Sequence, residues 1–315
     1  MYYCYLRGKQ YELLAVRDCI NKIAQKGITT IIEPVRDSSR DLYSCLRDSN
    51  QNNTRVILIA NPKCGDLTNN QLALDNLIQG AIQAKPSLEL GFIVDDTTSL
   101  PQLTNFINAY PNNAISIIHY GIFNNPTALL QTQVNHQLFR DNIFIDGRCG
   151  HHYISAFNQT RKVLIRDGFN RAINNAGYAN NIVEFFSDLY SNYLSSGFHG
   201  FGDFSTVGDH FAEGGGQAIT AALHITYNSV ESPEILIHHF LSAPRTIADD
   251  VAILIDEALE KLEDFITNNR PDILNWSTAC SELITIYNTP GYTTNLAYLK
   301  KMSIKNHFEL MHSIL

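Results

Sequence analysis

The chain has 315 residues, 44% of them hydrophobic and 17% charged, with a net charge of −8. That balance is globular, excludes a disordered chain, and gives no broad, non-specific grip on nucleic acid or an anionic membrane. Six scattered cysteines show no CxxC or CxxxC spacing, Arg7 and Lys9 interrupt any signal-peptide core, and no apolar run reaches the roughly 18 residues that span a bilayer, so the expectation is a soluble, cytoplasmic protein with reduced thiols and no membrane partner.

Apolar, β-branched runs recur along the chain, each followed by helical periodicity. Residues 2–6 read as a strand and Tyr11 to Ala24 as an amphipathic helix ending near Gly27. Residues 28–35, 55–60, 88–94, 114–119 and 142–146 read as further strands. Helices follow from about Ser39, across Gln71–Ala84, from Pro101 and across Pro126–Val134. β-then-α units at this spacing predict a parallel sheet with helical crossovers. Both an open doubly wound sheet and a closed barrel fit that pattern. The units continue past residue 147, with strands expected at Gly200–Val207 and Ala218–Tyr227, and no Gly-rich dinucleotide fingerprint follows the first strand. The pattern therefore favours an α/β protein of the (β/α)₈ TIM-like barrel type.

In this reading the barrel spans 1–246, with 147–199 an extended loop or insertion before strand 7 and an aromatic-rich helix near Ile182–Leu194 inside it. Glu234–Leu241 pairs back on the preceding strand as a hairpin. Residues 247–315 form a C-terminal helical extension packed on the barrel, with a helix across Ala248–Thr267 that Arg270-Pro271 ends.

The C-terminal ends of barrel strands share one mouth, whatever their distance in sequence. In order, those ends carry Arg7, Glu33, Asn61, Asp95, His119, Asp146, Asp203 and His224. Asn61 and Asp95 also suit helix caps, and Arg7 also suits a pairing with Glu33. Arg7 and Lys9 lie just before a helix, where a guanidinium, an ammonium and backbone donors make a cradle for phosphate or carboxylate; Asn61, His119, Gly214 and Gly215 join them as candidate substrate contacts. Glu33, Asp146 and Asp203, assisted by His224 or His239, are candidates for acid–base work, and Asp146 and Asp203 for a divalent metal ion. No HxH or HExxH spacing marks a zinc site, and no GxSxG marks a nucleophile elbow. Cys149 is the thiol nearest a histidine, and reads as a packed thiol before a reactive one.

Several blocks are distinctive: Met1–Leu13, Ile32-Glu33-Pro34-Val35, Phe186-Ser187-Asp188-Leu189, Gly200–Gly216 and Ile237-His238-His239-Phe240. Together they resemble an uncharacterised bacterial family that is distantly related to the beta proteins of phages and bacteria. The resemblance runs from residue 1 to about 260. It implies a (β/α)₈-type barrel and a setting among mobile or phage-defence genes, and it supplies no activity and no catalytic residue.

Joined to the strand-end groups, it gives as first reading a hydrolase of a phosphate-containing substrate, a nucleotide or nucleic acid, in phage defence. The alternative is a non-catalytic sensor or partner subunit that recognises a phage product or a companion effector. Sugar hydrolysis by paired carboxylates is a third reading.

Overall fold

The computed structural model describes residues 1–213, 219–245, 251–292 and 294–315. Eight strands close a parallel barrel: β1 (Tyr2–Leu6), β2 (Thr29–Ile32), β3 (Arg55–Ile59), β4 (Glu89–Val94), β5 (Ile115–His119), β6 (Phe139–Ile145), β7 (Lys162–Arg166) and β9 (Gly200–Asp203). The strand that completes the ring, β9, lies between β7 and β1 and pairs in parallel with both. The chain is a (β/α)₈ TIM-like barrel with further elements.

Alternation along the strands sets the two faces. Tyr3 and Tyr5, Ile31, Ile57 and Ile59, Ile93, Ile118, Ile143 and Ile145, Val163 and Ile165, and Phe204 pack together as the barrel's interior. The ring closes at Gly202, where an added Cβ would stand 2.1 Å from the Tyr3 carbonyl oxygen, so β9 can approach β1 only with glycine at this position. Around the strands run α3 (Arg40–Gln51), α4 (Gln71–Ala84), α5 (Leu100–Ala109), α6 (Pro126–Asn135) and α7 (His151–Ser155). Three of their starts follow local chemistry. Asn70 and Asn125 cap α4 and α6 through their side chains, and Ser99 and Gln102 form a reciprocal capping box on α5.

Two strand assignments move relative to the sequence expectation. Residues 162–166, placed in the insertion by sequence, are the seventh barrel strand, which makes Gly200–Asp203 the eighth. The strand expected at Ala218–Tyr227 begins at Ala222 and lies outside the barrel. Its apolar content matched a barrel strand, but its partner is the antiparallel strand that follows it, as the expected hairpin requires.

By internal contacts the chain divides into two compact units. The first holds the barrel. The second comprises Tyr11–Lys26, Gly168–Asp188 and Ser205–Leu315. In it, β8 (Val183–Ser187), β10 (Ala222–Asn228) and β11 (Ile235–Leu241) form an antiparallel sheet in the order β10-β11-β8. The segment expected as an aromatic helix is thus β8 followed by the short α8 (Leu189–Asn192).

Helices α9 (Val251–Asn268), α10 (Thr278–Tyr287) and α11 (Leu296–Ile314) build a hydrophobic core with this sheet. The first predicted helix is two, α1 (Gln10–Asp18) and α2 (Ile20–Lys26), and α2 packs on α11. Buried Glu309 on α11 accepts from the Ala279 amide at the start of α10 and from Lys22 Nζ, which ties three helices together. Among the described residues, no helix is long and apolar enough to cross a membrane.

Candidate functional site

The C-terminal mouth of the barrel is built on Glu33. Its side chain is fully buried and continues the inward phase of Ile31. It accepts a hydrogen bond from Tyr5 Oη at 2.8 Å and one from the Lys63 backbone N–H at 2.7 Å, it pairs with the Arg7 guanidinium, and the Cys64 thiol lies at 3.6 Å. Burial first, and then the Glu33 carboxylate, push the Cys64 thiol up to about 12 and the Tyr5 hydroxyl above its ordinary range. Arg7 is 6% exposed and lies between two aromatic faces, 5.2 Å from the Tyr5 ring centre and 5.6 Å from that of Phe204.

Lys63 links this cluster to a second carboxylate. Its Nζ donates to Asp95 at 2.8 Å, while Thr97 and Thr98 also donate to Asp95. Burial raises the Asp95 carboxyl, but the hydrogen bonds from Lys63, Thr97 and Thr98 outweigh it and hold the group well below the usual carboxylate range. Lys9 is close enough to Cys64 to pull against the upward shift of its thiol. Arg148, after β6, stands 5.2 Å above the ring of Tyr120, which packs on the barrel interior. Arg7 therefore pairs with Glu33 and Lys63 with Asp95, while Lys9 stands near Cys64 and Arg148 over Tyr120. The sequence reading did not single out Lys63, Cys64 or Arg148; the Asn-Pro-Lys-Cys-Gly run directly after β3 is the signal that marks the first two.

The other expected mouth residues go elsewhere, and strand phase explains three of them. His119 follows inward-facing Ile118, so its ring is directed outward, where it is buried, stacks on Phe144, and sits 2.9 Å from both Tyr153 Oη and Asn142 Oδ1. Burial lowers it to about 3, so it is a neutral imidazole in the barrel's outer packing. Asp203 precedes inward-facing Phe204 and accepts from Tyr2 Oη at 2.7 Å on the outer face. Asp146 follows inward-facing Ile145 and pairs at 2.7 Å with Arg166, itself outward of Ile165. The two candidate metal ligands thus bond to different partners. Among the described residues, no group of three or more His, Cys, Asp or Glu side chains is arranged to hold a metal ion.

Asn61 extends the β3–β4 ladder, accepting from the Ile93 N–H and donating to the Ile93 carbonyl, both at 2.8 Å. Gly214 and Gly215 lie outside the described residues. Burial raises the Cys149 thiol to about 11, and it donates to the Gly121 carbonyl, so it is a packed thiol.

His224 and His239 meet each other, on β10 and β11 of the second unit and not at a barrel strand end. Their Nδ1 atoms are 2.7 Å apart, with Phe169 and Tyr178 against the rings. Burial lowers both below the ordinary histidine value, His224 further through the neighbouring His239.

The opposite end of the barrel holds a polar network of which the sequence reading marked no member. Arg55 donates to Glu89, Asp141 and Tyr3 Oη; Tyr3 Oη donates to Asp141; Arg161 also pairs with Asp141, and Ser116 donates to Glu89. Burial raises the Glu89 carboxyl against the opposing pull of Arg55 and Ser116. Arg55 and Glu89 open their strands and Asp141 lies in the first half of β6, all on the inward side two residues ahead of the isoleucine and glycine layer, so this network closes the barrel floor. Compared with protein-family models and with curated protein sequences, the chain matches none.

Proposed function

We propose that the protein is a recognition barrel that binds an anionic, phosphate-bearing group at its C-terminal mouth without turning it over. In this reading it serves as the sensor or partner subunit of a phage-defence pair. The defence setting rests on the resemblance of the Met1–Leu13 and Gly200–Gly216 blocks.

The observation that carries the chemistry is the state of Glu33. A carboxylate acting as general acid, base or metal ligand needs a free lone pair or proton directed at substrate. Glu33 instead gives its oxygens to Tyr5, Arg7 and the Lys63 amide. Asp146 is held by Arg166, and Asp203 is bonded to Tyr2 on the outer face. The cations exposed at the mouth are Lys63, which keeps 41% of its side chain exposed while paired with Asp95, and Arg148 beside the Tyr120 ring, with the buried Arg7 held by Glu33. Fixed cations above a buried counter-charge suit binding.

The test pairs binding with turnover. Fluorescence anisotropy with a labelled nucleotide and a labelled single-stranded oligonucleotide should show salt-sensitive binding, weakened by about tenfold in Lys63→Ala and in Arg148→Ala, the size of one lost charge-assisted hydrogen bond. Neither probe should be hydrolysed, with magnesium, manganese or chelator present. Hydrolysis that Asp146→Asn or Asp203→Asn abolishes, in protein shown to be folded, would sink this reading and restore the hydrolase.

A further inference from the structure

A cleft of about 830 Å³ opens in the second unit between β11 and α9. Its floor is aromatic. The His238 ring stacks on Phe240 at 4.0 Å and meets the edge of Phe265 at 4.6 Å. Burial lowers His238 to about 4, so the floor is uncharged at neutral pH.

The apolar surface continues past the cleft. Val183 and Phe185 on edge strand β8 stand opposite His238 and Leu236 and so share their face of the sheet. Val183 is 45% exposed and Phe185 43%. An edge strand with uncovered apolar side chains is an association hazard unless something covers it.

One wall of the cleft is acidic. Glu260, Glu263 and Asp264 of α9 line it, and Asp256 continues the every-fourth-residue row of Glu260 and Asp264 one turn beyond the cleft, where like charges repel. The cations nearby are engaged elsewhere: Lys261 Nζ donates to the Leu241 carbonyl at 2.6 Å, and Arg245 pairs with Glu257. Among the described residues, no cation pairs with Asp256, Glu260 or Asp264. A helix that keeps a repelling acidic row beside an aromatic cleft and an open apolar edge has the charge pattern of an interface missing its other half.

We infer that this surface docks a basic amphipathic segment of a partner protein, with an apolar anchor seated on the His238 and Phe265 rings and lysine or arginine along the α9 row. The partner is the companion that the recognition reading requires, and the inference rests on that reading for its biological role. The docking surface itself belongs wholly to the second unit.

The probe is a labelled Leu/Lys amphipathic peptide, compared with a Lys/Ser peptide of equal charge and a Leu/Glu peptide of equal pattern. The Leu/Lys peptide should bind the full chain at least tenfold more tightly than either control and protect the backbone amides of 183–187 and 260–268 from hydrogen exchange. Glu260→Lys/Asp264→Lys should weaken it at least tenfold, and Phe185→Ser about fivefold, while nucleotide binding at the mouth stays unchanged. Equal binding to the charge-reversed variant, or protection elsewhere, would overturn the inference. A wild-type dimer that the same substitutions dissociate would overturn it in favour of a second copy of this chain. Wild-type protein that binds nucleotide but not peptide removes the docking inference alone, and the converse removes the mouth reading alone.

Discussion

Replacing Glu33 with alanine is the sharpest test of how the mouth is held together. The substitution removes the acceptor for Tyr5 Oη and for the Lys63 amide, and it breaks the ion pair of Glu33 with the Arg7 guanidinium, which is 6% exposed. Breaking a buried ion pair from one side costs about 3–5 kcal/mol, and an orphaned buried amide about 1–3 kcal/mol. These contributions overlap because the partners share one cluster, so the expected loss is about 4 kcal/mol, roughly a thousandfold in an opening equilibrium. Arg7→Met/Glu33→Leu removes both charges and fills the same space, so it should recover the ion-pair part of the loss and keep only about 1–3 kcal/mol, from the Tyr5 hydroxyl and Lys63 amide left without their acceptor. The chain's one tryptophan, Trp276, lies in the second unit and is a poor reporter of the barrel. Native-state hydrogen exchange on the amides of β1 and β2 reads the barrel directly. A loss below about 1 kcal/mol in Glu33→Ala, or a double variant as damaged as the single one, would refute the buried clamp.

Three further outcomes follow from the same geometry. Gly202→Ala drives a Cβ against the Tyr3 carbonyl oxygen, so it should destabilise the barrel by about 3 kcal/mol or more and speed exchange first at the β1–β9 seam; an unchanged exchange pattern would contradict the close approach. His119 and His238 are lowered to about 3 and about 4 in the fold, below the ordinary value of 6.5. The unfolded chain therefore takes up protons first as the pH falls, so their contribution is complete above pH 6.5 and is lost below it. Each should remove about 1.4 kcal/mol per pH unit, down to about pH 4 for His238 and lower for His119. Unfolding midpoints at pH 7 and pH 5 check this, and His119→Gln should flatten the dependence measured on barrel amides. Asp141→Ala leaves Arg55 and Arg161 short of a counter-charge on the barrel floor and should cost about 3–5 kcal/mol while leaving nucleotide affinity at the mouth unchanged.

The barrel was legible because apolar strand runs alternate with helices, three of which carry their own capping signal, and seven of its eight strands are where those runs place them. The seventh was hidden because Lys162–Arg166 follows a helix of only five residues, which carries little periodicity to announce a crossover. Naming the residues at strand ends was not enough to find the site, because a strand end has two faces. Arg7 and Glu33 continue the odd-numbered inward rows of Tyr3, Tyr5 and Ile31, whereas His119, Asp146 and Asp203 fall one residue out of phase with Ile118, Ile145 and Phe204. The isoleucine rows that fix this phase are in the sequence, so alternation counted from them separates the two groups. The same count finds Arg55, Glu89 and Asp141, charged residues two places ahead of an inward isoleucine or glycine, at the barrel's other end. What it does not find is Lys63 and Arg148, since a loop after a strand has no period. Their positions depend on where Glu33 draws the Lys63 amide and where Tyr120 offers a ring to Arg148, both contacts between segments far apart in the chain. Net charge therefore does not locate them: on a chain of net charge −8, Arg7, Lys63 and Arg148 reach one end of the barrel through Glu33, Asp95 and Tyr120, each a contact between separate segments.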